Sequence, residues 1–135
     1  MSGPDEAMLA PVMRLAQFMA TLDESCLEGL FDDDLTIIEN FAPYVFRGPY
    51  AAAAWQAGFR EHAEGLSGLV PAFGEPQDFS RTGERVYFVL PTRWTGESRK
   101  RPFTEQGGWS FVLSPHGRRW RIAAYAWSVI EIRPL

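Results

Sequence analysis

The stretch Leu30-Phe31-Asp32-Asp33-Asp34-Leu35-Thr36-Ile37-Ile38-Glu39 changes character halfway along its length. Leading into it, Leu27, Leu30 and Phe31 recur at helical spacing, so Asp23–Phe31 reads as a short helix. Beyond the three aspartates, Thr36, Ile37 and Ile38 are β-branched, and Leu35–Phe41 reads as a strand. The aspartates between them are adjacent. A calcium loop instead spaces its ligands alternately and adds a Gly and a distal Glu. They therefore read as a solvated turn that closes the helix. Helical pattern lies mainly on one side of this point and strand pattern mainly on the other, which is the order of an α+β domain.

Towards the N-terminus, Met8, Val12, Leu15, Met19 and Leu22 recur at intervals of four and three, with Phe18 widening the stripe. This predicts a first helix over Pro4–Leu22, its regular part starting at Pro11. Towards the C-terminus, Pro49 opens a third helix running to about Ala63, with Trp55, Phe59 and His62 along one face. Gly65 ends it, and Leu66, Leu69 and Val70 lead into a loop. The remainder reads as strands: Gln77–Arg81, Val86–Trp94, Phe103–Leu113 and Trp120–Ile132. Thr82-Gly83 and Ser114–Gly117 supply turns, and Gly107-Gly108 marks a bulge or bend.

Strict alternation along the last strand puts Trp120, Ile122, Ala124, Ala126 and Ser128 on one face and Ala123, Tyr125, Trp127 and Val129 on the other. Bulky apolar groups on both sides predict that both faces are covered. One would meet the helices. The other, bearing Tyr125 and Trp127, would meet a second copy in a homodimer. Residues 1–135 contain no linker, repeat or low-complexity tract and read as one domain.

Composition narrows the function. The net charge of −4 argues against a nucleic-acid partner, whose phosphates call for a basic surface. Cys26 is the only cysteine, which excludes an intrachain disulfide and a multi-cysteine metal site, and its apolar setting reads as a buried small hydrophobe. The acidic start Met1–Glu6 lacks the pattern of a signal peptide. No apolar run reaches the ~18 residues of a membrane span. The expected location is therefore cytoplasmic. With aromatics at 14% of the chain, the large rings suffice both to fill a core and to line a pocket for a small apolar or aromatic ligand. Neither a Gly-rich phosphate loop nor Cys/His ligand spacing occurs, so no metal, nucleotide or flavin cofactor is called for.

Several stretches resemble the nuclear transport factor 2-like superfamily, in particular its SnoaL-like and ketosteroid-isomerase-like branch. Leu30–Glu39 is similar to the family's entry into its first strand. Gly48 followed by an Ala-rich helix with Trp55 is similar to its pocket helix. Trp109–Leu113, Gly117, Trp120–Ile122 and Trp127-Ser128 are similar to its last two strands. The resemblance implies a cone: three N-terminal helices on a strongly curved mixed or antiparallel sheet, its mouth opening on an apolar pocket. The small Ala124 and Ala126 would form the floor, with Phe18, Phe41, Trp55, Phe59 and Trp109 as walls. It also places Glu39 where isomerase-like members carry a general base, and His62, in register with Trp55 and Phe59 on the third helix, would be in reach as a second acid/base group. The rest of the isomerase set is missing, since Leu15 and Trp109 stand where its oxyanion donors belong, which argues against steroid isomerisation. Two functional classes stay open: a cofactor-independent isomerase, lyase or cyclase with Glu39 as base, and a non-catalytic ligand-binding or dimeric interaction module of the same fold.

Overall fold

The computed structural model describes residues 3–135. Helix α1, Glu6–Thr21, starts five residues earlier than Pro11 suggested. Asp5 caps it, its carboxylate accepting from the Met8 N–H at 2.9 Å, so Pro11 lies inside the helix. The stripe Met8, Val12, Leu15, Phe18 and Met19 is buried as its spacing predicts. Instead of a second helix, the chain makes one 3-10 turn over Glu24–Leu27. Gly29 then takes a left-handed φ of +63°, and strand β1 begins at once, Phe31–Ile38. The described residues thus hold two α-helices and one 3-10 turn, not three helices.

The three aspartates fall within β1, not in a turn, but they interrupt its pairing. Phe31 lies opposite Ile122 and Thr36 opposite Ala124, so residues between them loop out of register. Asp32 accepts a hydrogen bond from Ser114 Oγ at 2.9 Å. Strand β2, Val45–Arg47, folds back on β1, and helix α2, Ala51–His62, follows. The expected loop after α2 is instead strand β3, Leu66–Phe73. Strands β4, Gln77–Thr82, β5, Arg85–Ser98, β6, Arg101–His116, and β7, Arg119–Pro134, complete the chain.

These strands form one sheet in the order β2-β1-β7-β6-β5-β3, with β4 also paired to β5. It is mixed, since β1 and β7 run parallel and the other pairs are antiparallel. Helix α1 packs on both β7 and β3, which lie three places apart in the sheet. One helix reaches both only because the sheet curls around it. The concave side holds the core, with Val12, Leu15, Phe18, Trp55, Phe88, Phe111, Leu113 and Ile122 almost completely shielded from solvent. Among the described residues no helix is long and apolar enough to cross a membrane.

The register of β7 against β6 shifts twice, at Ile130 near its end and at Ala123, and the second shift decides the faces of the strand's centre. Val112 pairs with Ala124 but Leu113 with Ile122, so Ala123 is an extra residue, a β-bulge. It shifts the side-chain phase by one position. Ile122 before it and Tyr125, Trp127 and Val129 after it all face the concave side, while Ala124, Ala126 and Ser128 face outwards. This reverses both sequence-based assignments for the strand. Ala124 and Ala126 are not a pocket floor, and Tyr125 and Trp127 are buried within the protomer and unavailable as a dimer face. Removing Ala123 restores strict alternation and turns either Ile122 or the Tyr125–Trp127 pair outwards. The expected result is loss of a cooperative thermal transition in circular dichroism. A deletion variant with a native melting curve would show that the bulge does not set the phase.

Candidate active site

Glu39 follows β1 and continues its period of two, on the same side as the buried Leu35 and Ile37. Its backbone N–H donates to the Tyr44 carbonyl at 2.9 Å, which anchors the chain as it leaves the sheet. The carboxylate is thereby carried into the concave core, where the residue is 5% exposed. Two donors meet it there. Trp55 of α2 donates from Nε1 to Oε2 at 2.9 Å, and the Tyr125 hydroxyl of β7 donates to the same oxygen at 2.5 Å. With both donors on Oε2, Oε1 is the oxygen left to gain or lose a proton.

Burial raises the Glu39 pKa from 4.5 to about 7. The hydrogen bonds from Tyr125 and Trp55 pull it down, the negative charge of Glu105 pushes it up, and the Asn40 backbone N–H pulls it down again. Burial likewise raises the Tyr125 phenol, and the neighbouring Glu39 charge adds to the effect, so Tyr125 stays a donor. The result is a carboxyl group held close to half-ionisation near neutrality, the state a proton-transfer group needs.

The group lies in the wall of a cavity of about 60 Å³, bounded also by Met19, Asn40, Phe41, Phe59, His62, Leu66, Leu69, Trp94, Trp109 and Trp127. Of the residues expected there, Glu39, Phe41, Phe59, His62 and Trp109 line it. Trp55 stands behind the carboxylate as its donor. Phe18 does not reach the cavity. It is fully buried and packs on Trp55 and Phe59 at centroid distances of 5.6 and 5.9 Å. Ala124 and Ala126 lie on the outer face beside Thr36 and Ile38. His62 is exposed and marks the cavity mouth, its ring stacked on Phe41 at 4.7 Å.

Sequence reasoning missed Glu105. It lies on β6 at a spacing of two and four from Gly107 and Trp109, which was the available signal. Its carboxylate accepts from Trp127 Nε1 at 3.0 Å. Burial raises its pKa, and the Trp127 hydrogen bond and electrostatic attraction to the nearby His62 draw it down. Gly107 makes this arrangement possible. A Cβ there would stand 2.5 Å from the Ser128 carbonyl oxygen and 2.6 Å from Trp127 Cη2, so the indole lies where any other residue's side chain would begin. Among the described residues no cluster of three or more His, Cys, Asp or Glu could hold a metal ion.

No protein-family model matches the sequence, and no curated protein is significantly similar to it. Solved structures do match in shape. The LinA-type3 hexachlorocyclohexane dehydrochlorinase from Novosphingobium barchaimii LL02 aligns over 96% of this chain and 88% of its own, with a TM-score of 0.78 at 10% identity. A scytalone dehydratase-like protein from Novosphingobium aromaticivorans DSM 12444 aligns over 96% and 85%, with a TM-score of 0.76 at 9% identity. An NTF2-like protein from Cytophaga hutchinsonii ATCC 33406 aligns over 93% and 97%, with a TM-score of 0.67 at 15% identity. The chain has the nuclear transport factor 2-like fold. At these identities the likeness concerns the NTF2-like frame, a curved mixed sheet closed by helices, and the side chains inside it are this chain's own.

Within that frame, two substitutions probe the site. Glu39 binds its proton more tightly folded than unfolded, so its contribution to stability is full below pH 4.5 and is lost as the pH rises to about 7. The loss is on the order of 3 kcal/mol. Glu39→Gln has no such loss, and urea titrations should show its stability gaining on the wild type across that interval and running parallel above it. Gly107→Ala should displace Trp127 from Glu105, at a cost of about 1–3 kcal/mol, and shift the tryptophan emission. An unchanged spectrum would mean that the sheet absorbs the methyl group instead.

Proposed function

We propose that the protein catalyses cofactor-independent proton transfer on a small, mostly apolar ring compound, with Glu39 as the base. The observation that carries this reading is the buried carboxyl group in the cavity wall, held through one oxygen by Trp55 and Tyr125 and titrating near pH 7. Oε1 would take a proton from a ligand carbon. The electron pair of the broken C–H bond stays with the ligand. It then either expels a leaving group from the adjacent carbon, an elimination, or is reprotonated elsewhere, an isomerisation. Two proteins of the same fold carry the names of elimination enzymes, a hexachlorocyclohexane dehydrochlorinase and a scytalone dehydratase-like protein, which favours a lyase. His62 at the mouth and the Glu105 carboxylate beside it would exchange the proton with solvent. The aromatic walls would hold the ring.

The chemistry is testable without knowing the natural substrate. Cyclohexanones bearing a β-hydroxyl and chlorinated cyclohexanes, incubated with the protein in D2O and followed by NMR, report both deuterium uptake and loss of a leaving group. The expected rate rises with pH through a limb at about 7. It falls at least ~100-fold in Glu39→Gln, the scale of a lost general base. A variant as active as the wild type would remove Glu39 from the mechanism. Binding of these compounds with neither exchange nor elimination would favour a carrier role for the same cavity.

A further inference from the structure

Glu39 and Glu105 both face the concave side, and neither has a positive partner. Glu105 lies opposite Trp94 in the β5–β6 register, and Trp94 is part of the cavity wall. The charge of Glu105 is near enough to act on Glu39. The side chains that donate to the two carboxyl groups, Trp55, Tyr125 and Trp127, are all neutral. Among the described residues the ion pairs are Arg60–Glu24 and Arg133–Glu131, so neither carboxyl group takes part in one. No lysine or arginine lines the cavity, and His62 at its mouth is exposed. Buried carboxylates ordinarily have an opposite charge beside them.

The cavity can reach the Glu39 carboxylate. Its Oε1 carries neither donor's bond. The sealed polar side-chain atoms without a partner are Thr104 Oγ1 and Trp109 Nε1, so Oε1 keeps accessible surface, and Glu39 lines the cavity. Five aromatic residues, Phe41, Phe59, Trp94, Trp109 and Trp127, bound the same space. Rings of this kind attract an organic cation. A volume of about 60 Å³ holds roughly four to six water-sized groups, which suits a single small ring.

We propose that the cavity selects a small cyclic ammonium ion, whose N–H donates to Glu39 Oε1, whose charge answers the two carboxylates, and whose methylene groups lie against the aromatic rings. An anion would be repelled, and a neutral ring would leave both carboxylates uncompensated. A metal ion needs several ligands at once, and among the described residues no cluster of three or more His, Cys, Asp or Glu could hold one. The inference rests on the cavity and carboxyl group of the proposed function, adds a charge to the ring compound, and holds whether or not a proton is transferred there.

The experiment compares piperidinium with tetrahydropyran, two six-membered rings of nearly the same shape that differ in charge. Both are titrated into 15N-labelled protein at pH 6 and pH 8, and the tryptophan indole signals are followed. At pH 8 the wild type is expected to bind piperidinium about tenfold or more tightly than the ether, the worth of one charge-assisted hydrogen bond. The ammonium ion favours ionised Glu39, whose pKa is about 7 in the free protein. Binding at pH 6 must expel that proton, so piperidinium should bind about tenfold more weakly there than at pH 8. Glu105 on β6 and His62 on α2 also titrate near the site, while Tyr125 stays protonated. Glu39→Gln separates them, and in this variant both the preference and the pH dependence should shrink towards one. Equal affinity of the wild type for the two rings, no binding of piperidinium, or a preference and pH dependence that persist in Glu39→Gln would each overturn the proposal. The first two are read in the wild type and do not depend on the variant folding. Turnover of neutral compounds without a preference for piperidinium would remove the cation and leave the base, whereas the preference without turnover would do the reverse.

Discussion

A carboxyl group placed in an apolar core is the constraint around which this protein is arranged. Glu39 leaves β1 pointing inwards, and it is tied by hydrogen bonds to α2 through Trp55 and to β7 through Tyr125. Three elements distant in sequence therefore share one oxygen atom. The donors lower the cost of burial without cancelling it, because Glu105 contributes a second negative charge and the walls offer little else that is polar. Remove the donors and the carboxyl group has no partner to oppose desolvation, so it stays protonated. Replace the walls with water and it becomes an ordinary glutamate. The site needs both.

Two backbone features hold the rings that make this environment. The bulge at Ala123 changes the phase of β7, and without it Tyr125 and Trp127 would not share the concave side with Ile122. Gly107 gives Trp127 room to lie flat against β6, which lets its indole reach Glu105. Neither feature is itself polar or reactive. Each determines which way a reactive or hydrogen-bonding side chain points, so the chemistry of the cavity is set partly by backbone register.

What the sequence disclosed and what it hid follow the same division. The α1 stripe from Met8 to Met19 and the Trp55–Phe59 face of α2 were legible, because each rests on an uninterrupted period of 3.6, whereas the place of Glu39 came from the family resemblance. The short helix over Asp23–Phe31 was misread, because Gly29 supports a left-handed turn as readily as a helical residue, and only the turn lets β1 begin at Phe31. The strand Leu66–Phe73 was hidden by its Gly and Pro, which read as loop signals although the segment pairs with β5. The faces of β7 were assigned the wrong way round for one reason, a single extra residue in a run of alternating apolar side chains. Both phases bury large groups, so nothing in the composition of that run signals where the phase changes.

Asymmetry between the two sides of the cavity bears on why Glu39 is a glutamate. A glutamine would accept the same two hydrogen bonds through its carbonyl oxygen and would not lose stability as the pH rises to 7. A leucine would suit the walls. The chain instead carries a group whose ionised form costs on the order of 3 kcal/mol, in a domain whose total stability is only a few times larger. Residues that work against stability persist where they serve a site. A cavity that only accommodated an apolar ligand would not require that group.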